Sequence, residues 1–102
     1  MGQDPEAKVM LRGYLDVPPE RLPAVRAALA THIALTRAEE GCIAFTVKED
    51  ASCAGRLLVS EIFKNQTAFE AHQERTRSSA WFDVTRDIPR HYDITKDTTE
   101  PL

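Results

Sequence analysis

Apolar residues recur along the chain at two kinds of interval, either every second position or every third and fourth position. The order of these intervals is the feature that most constrains the fold. Residues 8–17, KVMLRGYLDV, place apolar or small side chains at every second position, which is typical of a strand with one buried face. Pro18 and Pro19 end that strand, because proline has no amide hydrogen to donate to a neighbouring strand. From about residue 19 or 20 to Glu40 the apolar positions recur at intervals of three and four, which predicts an amphipathic helix with Gly41 as its C-terminal cap.

The remainder of the chain repeats these two spacings. The predicted segments are a strand over 42–50, a turn-like connection over 51–55, a strand over 56–63, helices over 66–77 and 78–88, and a short strand over 91–95. Asn65 is a suitable N-cap for the first of these helices, and Ser78 or Ser79 for the second. In the strand over 42–50, the alternation assigns Ile43, Phe45 and Val47 to one face.

The resulting order, β-α-β-β-α-β, predicts an α+β protein with the ferredoxin-like arrangement. Four strands would form one antiparallel sheet with the helices on a single face. The strands over 42–50 and 56–63 carry apolar or small residues on both sides, so the uncovered face would expose an apolar patch. We therefore expect a symmetric homodimer that packs sheet against sheet.

Composition narrows the function classes. The 102 residues predict a single domain, 1–102, with a core over about 8–96 between polar tails. A net charge of −3 without a basic cluster argues against nucleic-acid binding, and no apolar run is long enough to span a membrane. The polar start MGQDPEAK does not resemble a signal peptide, and Cys42 and Cys53 match neither a disulfide framework nor a metal site. A reduced, cytoplasmic protein is expected.

Candidate catalytic groups are few. The four glycines do not have the spacing of a nucleotide-binding loop, and the three histidines lack metal-ligand spacing, so we expect neither a bound nucleotide nor a metal. His72 lies on the apolar stripe of the helix over 66–77, where it is either a hydrogen-bonded core residue or a base in a cavity. His32 faces inward on the first helix by the same reasoning. His91 stands among charged neighbours and is expected to be solvated.

The other candidates also have two interpretations each. Glu61 alternates with Val59 and Phe63, which predicts an inward carboxylate that is either catalytic or paired with Arg12 or Arg56 across the sheet. The aromatic residues near His72 either pack the core or line a substrate cavity; they are Phe69, Trp81 and Phe82. Cys42 is expected to be a small buried hydrophobe.

Three stretches together resemble the antibiotic biosynthesis monooxygenase (ABM) family: EEGCIAFTVKED (39–50), RLLVSEIFKNQTAFEAH (56–72) and SSAWFDV (78–84). The resemblance implies a dimeric α/β barrel, formed by two ferredoxin-like subunits, with an apolar cavity in each subunit. The family includes cofactor-free oxygenases of hydroxylated aromatic polyketides and quinols, an isomerase of a phosphorylated autoinducer, and haem-degrading enzymes. Haem chemistry is not expected here. The haem-degrading relatives have an asparagine on the first strand, a tryptophan on the second helix and a histidine further on. Near these positions this sequence has, in turn, Arg12 or Gly13, His72 and Arg86.

The resemblance also implies a function and roles for particular residues. The chain would be a quinol monooxygenase-type oxidoreductase that oxidises a quinol or hydroxylated aromatic with O2 and without a cofactor. His72 would be the catalytic residue, as a base or a polarising group, with Arg12 and Glu61 as polar groups near it. The apolar lining would be Phe63, Phe69, Trp81 and Phe82. The alternatives are an isomerase of a small carbonyl metabolite, phosphorylated or unphosphorylated, in which the histidine is shared, and a non-catalytic dimer that binds a small molecule.

Overall fold

The computed structural model describes residues 7–97, so the predicted polar tails fall almost wholly outside the described residues. The elements in chain order are β1 (Lys8–Asp16), a 3-10 turn (Pro19–Arg21), α1 (Leu22–Arg37), β2 (Cys42–Glu49), β3 (Arg56–Phe63), α2 (Gln66–Arg77), α3 (Ala80–Thr85) and β4 (Arg90–Asp97). This confirms the predicted order β-α-β-β-α-β, with α3 as a short continuation of the second helical segment. β3 and α2 have the predicted bounds.

The four strands form one antiparallel sheet in the order β2-β3-β1-β4, which is the ferredoxin-like arrangement. Alternate side chains of the two central strands point toward the helices and are buried, among them Leu11 and Leu15 of β1 and Leu57 and Val59 of β3. One hydrophobic core joins this inner face to the three helices; its helical members are Val25, Phe69 and Trp81. Any cavity beside His72 must therefore lie between the inner face and the helices.

Polar caps begin the two later helices as predicted. The Asn65 side chain accepts the N–H of Ala68 at 2.8 Å, and the Ser79 hydroxyl accepts the N–H of Phe82 at 3.2 Å. Because Asn65 follows β3 by two residues, its cap starts α2 directly beside the sheet and determines which helical positions turn inward.

The predicted end of the first helix is wrong by three residues. The prediction that Gly41 caps this helix is also wrong. α1 ends at Arg37, and among the described glycines only Gly55 has a positive φ, at 84°. Gly41 is required for a different reason, because a Cβ atom added there would lie 2.3 Å from the Cβ of Ala68. The absence of a side chain at Gly41 lets the turn after α1 pack closely against α2.

A bulge in β2 corrects the predicted faces of that strand. Cys42 is paired with Phe63, whereas Ala44 is paired with Ile62, so Ile43 is an extra residue and is 51% exposed. Cys42 therefore shares the inner face with Phe45, and Ile43 does not. Alternation predicts faces correctly only while the pairing register is continuous.

The outer face of the sheet carries no helix. Its central positions are partly apolar, since Met10, Tyr14, Leu58 and Ile62 are half-buried there within a single chain. The structure contains one chain, so the expected homodimer stays a prediction. Within residues 7–97, no helix combines the length and apolar character needed to cross a membrane.

Candidate active site

A cavity of about 270 Å³ lies between the inner face of the sheet and the helices. Its wall combines two histidines and a carboxyl group with aromatic rings and a few other polar side chains. The lining residues are Leu11, His32, Glu61, His72, Gln73, Thr76, Arg77, Trp81, Phe82, Arg90 and Tyr92. The volume is slightly below the range of about 300–1,000 Å³ that is typical of drug-sized ligands, so a small molecule fits best.

His72 lies on the inward stripe of α2 and is 2% exposed. Its Nδ1 atom lies 3.1 and 3.3 Å from the two carboxylate oxygens of Glu39. A carboxylate can only accept, so Nδ1 carries the hydrogen and Nε2 is left with a lone pair. The ring packs against Phe63, with the two ring centroids 4.7 Å apart. His72 is therefore held as a fixed tautomer whose second nitrogen is available as a base.

Glu39 is itself held by the helices on either side. The guanidinium of Arg75 in α2 donates from Nε to the Glu39 carboxylate and from Nη2 to the hydroxyl of Thr36 in α1, the latter at 2.9 Å. These bonds orient Glu39 toward the imidazole. The resulting order of contacts, Arg75 to Glu39 to His72, connects the turn after α1 to the cavity wall.

The second nitrogen of His72, Nε2, faces another carboxyl group. His72 Nε2 lies 3.8 Å from Oε1 of Glu61 and 3.4 Å from the hydroxyl oxygen of Thr76. Glu61 is 7% exposed, and its Oε1 has no hydrogen-bond partner among the described residues. Burial, and secondly the charge of Glu39, raise the pKa of Glu61 to about 7. Near neutral pH this carboxyl group therefore exists in both protonation states.

Burial lowers the pKa of His72, and the neighbouring Glu39 opposes that shift. Since the ordinary value is 6.5, the imidazole is mostly neutral at pH 7 and can accept a proton at Nε2. Glu39 would stabilise the imidazolium that results, as a carboxylate does beside the histidine of a catalytic triad. The arrangement is suited to removing a proton from a weakly acidic hydroxyl group.

His32 is the second histidine of the cavity wall and is 4% exposed. Its ring stacks on Trp81, with centroids 5.2 Å apart and an interplanar angle of 5°, and its centroid is 5.8 Å from that of His72. Burial is the main reason that the pKa of His32 falls to about 3, so this imidazole is neutral at pH 7. The prediction that His32 faces inward is confirmed.

The predicted aromatic residues occupy two layers. Trp81 and Phe82 line the cavity. Phe63 and Phe69 pack against each other behind His72, at a centroid distance of 5.7 Å, and contribute to the core rather than to the wall. Whether any of these rings contacts a substrate stays a prediction.

The expectation that Arg12 lies near His72 is wrong. Arg12 is paired with Ser60, one position from the Leu11–Glu61 pair, so its side chain points to the outer face of the sheet. There it lines a separate hollow with Met10, Asp93 and Thr95.

The cross-sheet pairing suggested for Glu61 is also wrong. Arg56 is paired with Asp16 at 2.8 Å and lies over the ring of Tyr14, and Arg12 is on the opposite face. Glu61 instead faces the histidines of the cavity, without a cation bonded to it among the described residues.

Sequence reasoning missed several residues of the site, and Glu39 is the most important. The predicted helix, which runs to Glu40, places Glu39 in its last turn, where a negative charge opposes the helix dipole. That unfavourable position is a signal, because a cation placed near the carboxylate offsets its repulsion by the helix dipole.

Arg90 and Tyr92 of β4 were also missed. Arg90 donates to the carbonyl oxygens of Thr85 and Ile88 at 2.6 and 2.8 Å and so holds the end of α3. Burial raises the pKa of Tyr92 to about 12, so its hydroxyl remains protonated. No feature of the sequence alone indicates that these two side chains reach the cavity.

Two other features are less suited to catalysis. A wider hollow of about 580 Å³ opens beside the start of α2 and shares none of the residues that line the smaller cavity. Across residues 7–97, no three His, Cys, Asp or Glu side chains are grouped so that they could hold a metal ion. We therefore assign the candidate active site to the smaller cavity, where His32, Glu61 and His72 meet.

A ferredoxin-like sheet with a histidine-lined cavity under its helices defines a class of small α+β domains. The sequence model of one family of this class, described as antibiotic biosynthesis monooxygenase, matches residues 8–84. The chain belongs to this ABM family.

Solved structures support the same fold. A Nitrosomonas europaea protein, provisionally named an antibiotic biosynthesis monooxygenase, superimposes with a TM-score of 0.77 and 21% identity over 96% of each chain. A Deinococcus radiodurans protein with the same provisional name gives 0.72 and 25% identity, covering 92% of this chain and 94% of that one. Rv0793 from Mycobacterium tuberculosis gives 0.69 and 24% identity, with coverages of 93% and 95%. No curated protein matches the chain.

Proposed function

We propose that this protein is a cofactor-free monooxygenase, an oxidoreductase that oxidises a quinol or related hydroxylated aromatic with O2. The observation that carries the proposal is the Glu39–His72 pair, whose Nδ1–carboxylate contact of 3.1 Å leaves the lone pair of Nε2 at the cavity. Membership of the ABM family supports the monooxygenase class. The cavity volume of about 270 Å³ supports a substrate of one or two rings.

In the proposed reaction His72 Nε2 accepts the proton of a phenolic hydroxyl. A phenol has an ordinary pKa of about 10 and an imidazole about 6.5, so complete transfer in the resting complex costs about 5 kcal/mol. His72 therefore assists deprotonation as O2 reacts, and Glu39 stabilises the imidazolium formed. The buried position of the pair strengthens this stabilisation, because the local dielectric is lower than in water.

The substrate itself supplies the electrons. A hydroquinone and one O2 give a hydroxyquinone and one water, so one oxygen atom enters the ring and the other leaves as water. All four electrons that reduce O2 come from the aromatic. Bulk water is kept from the reacting ring by the aromatic wall formed by Trp81 and Phe82.

The test is oxygen consumption over a panel of benzene and naphthalene hydroquinones, with and without a chelator. We expect turnover that the chelator does not alter, and a loss of about 10²–10⁴-fold in His72→Ala, the usual contribution of a general base. His91→Ala is the matched control, because His91 is an exposed histidine stacked on Tyr14 on the outer face.

Other results would decide against the proposal. Unchanged oxygen uptake in His72→Ala would remove the role of the base. Product formation without O2 would favour the isomerase. A tightly held ligand that is never turned over would favour the binding dimer.

A further inference from the structure

His32 carries a buried nitrogen for which the described part of the chain provides no partner. The side chain is 4% exposed, and its Nδ1 atom has no hydrogen bond. Most buried polar atoms in proteins are paired with protein or with ordered water, so an unpaired one in a residue that lines a cavity is a candidate contact for a ligand or a bound water. His32 lines the same cavity as His72.

The packing around His32 fixes the direction of its ring. Trp81 stacks on one side with an interplanar angle of 5°, and Phe45 meets the ring edge-on at a centroid distance of 5.4 Å. These contacts fix the plane of the imidazole. A ring held in one plane directs its nitrogens along that plane, which favours a hydrogen bond to a ligand.

His32 is also different from His72 in its chemistry. Its pKa of about 3, lowered mainly by burial and then by His72 and Arg75, keeps it neutral at any physiological pH. It has no carboxylate on either nitrogen, so it cannot act as a second base like His72. A neutral imidazole offers one donor and one acceptor, which is the pairing that a hydroxyl or carbonyl oxygen needs.

We propose that His32 is a second substrate-binding residue, whose Nδ1 atom hydrogen-bonds the substrate oxygen that His72 does not deprotonate. The centroids of the two rings are 5.8 Å apart, so one small aromatic ligand can contact both. The cavity then selects aromatics that carry two oxygens over monophenols. This inference rests on the proposed function, since it concerns the substrate of the same site.

Selection follows from the cost of a buried polar atom without a partner. A dihydroxyaromatic pairs with His32, whereas a monophenol of the same shape displaces any water there and leaves the nitrogen unpaired. Loss of one partner from a buried hydrogen bond lowers affinity by roughly tenfold or more. We therefore expect at least a tenfold preference for the dihydroxy compound.

The experiment measures binding without oxygen, by calorimetry, for a hydroquinone and for the matched monophenol in which a methyl group replaces one hydroxyl. His32→Phe keeps a ring to stack on Trp81 and removes both nitrogens, and we expect it to lose the preference. His32→Asn places an amide near the position of Nδ1, and we expect it to retain part of the preference even if the phenylalanine variant folds poorly. His91→Phe makes the same ring substitution on the outer face and should keep the full preference.

The outcomes separate the two proposals. An unchanged preference in His32→Phe, no preference in the unmodified protein, or no binding of either compound overturns the role of His32. If the hydroquinone binds with the expected preference but consumes no O2 on aeration, the proposed function fails and the role of His32 stands.

Discussion

The buried carboxyl group of Glu61 makes the stability of the protein depend on pH. It lies on a central strand, 7% exposed, with its Oε1 atom 3.8 Å from His72 Nε2. Its pKa rises to about 7 because ionisation would place a charge in the core beside the carboxylate of Glu39. The protonation state of Glu61 therefore changes both the stability of the fold and the electrostatic potential at His72.

We predict that Glu61→Gln gains stability relative to the unmodified protein as pH rises. The folded-state pKa of about 7 exceeds the unfolded value of 4.5, so between these values the folded protein holds a proton that the unfolded chain has released. The contribution of Glu61 is thus full below pH 4.5 and is lost as pH rises to about 7, by up to about 3 kcal/mol. Urea unfolding of both proteins from pH 4 to 8 measures the difference.

The comparison must be between variants because other groups titrate in the same range. His32 and His72 have lowered pKa values, so their contribution is lost as pH falls below 6.5, opposite to that of Glu61. Glu49→Gln is the control, since that exposed carboxylate is paired with Arg26 and has a lowered pKa. A difference between Glu61→Gln and the unmodified protein that does not change with pH would contradict the prediction.

Among the secondary-structure elements, the turn between α1 and β2 determines where the Glu39 side chain lies. Arg37 at the end of α1 donates from Nε and Nη2 to the carbonyl of Phe45, at 3.0 and 2.9 Å, which ties the helix to β2. The turn between them carries Glu39 to His72, and Gly41 lets it approach Ala68 of α2. The position of the Glu39 carboxylate thus depends on a close contact between a turn and a helix.

We predict that Gly41→Ala destabilises the protein and that Ala68→Gly partly compensates. The added Cβ would lie 2.3 Å from that of Ala68, and overpacking of this kind costs about 1–3 kcal/mol. Ala68→Gly alone weakens α2 by about 1 kcal/mol, but in the double variant it removes the clashing atom. Chemical unfolding of the two single variants and the double variant measures the coupling.

The control places the same helix-weakening change elsewhere on α2. Ala71→Gly is at an exposed position, so in the Gly41→Ala background it should add its own cost without compensation. If the changes in the free energy of unfolding for Gly41→Ala and Ala68→Gly were strictly additive, the contact between these two positions would make no contribution to stability.

At the scale of the whole molecule, the sheet is covered by helices on one face only. The outer face presents Met10, Tyr14, Leu58 and Ile62, together with charged side chains that include Arg12 and Asp93. A partly apolar sheet face of this kind commonly marks an interface with another chain. A second copy packed against it would bury these side chains and leave the cavity of each subunit on the opposite side of its sheet.

We predict a homodimer at micromolar concentration that Ile62→Glu converts to a monomer. The introduced carboxylate would be buried at the centre of the interface without a partner, which is strongly unfavourable. Sedimentation velocity of the two proteins measures the change.

Ile94→Glu is the control for this prediction. Ile94 is 52% exposed and is paired with Leu11, which assigns it to the inner face, so its substitution should leave the dimer intact. A monomeric unmodified protein, or a dimer that persists in Ile62→Glu, would contradict the proposed interface.

The local pattern predicted most of the secondary structure, because caps, turns and periodic burial depend on neighbours in sequence. Asn65 and Ser79 cap their helices as predicted, and the bounds of β3 and α2 agree with the alternation and the 3.6-residue period. Alternation also assigned Arg12 to the side of β1 opposite Leu11, and the structure follows this assignment rather than the site position that the family resemblance implied.

The sequence by itself determined the order of strands and helices and the inward positions of His32, Glu61 and His72, because each follows from the period of its own element. Only the tertiary structure decided that these three side chains meet in one cavity. It alone brought Glu39 to His72, because the two residues are 33 positions apart and are joined by a turn, a bulged strand, a hairpin and a cap. Distances between elements depend on how their surfaces pack, and the spacing of residues within one element carries no information about that packing.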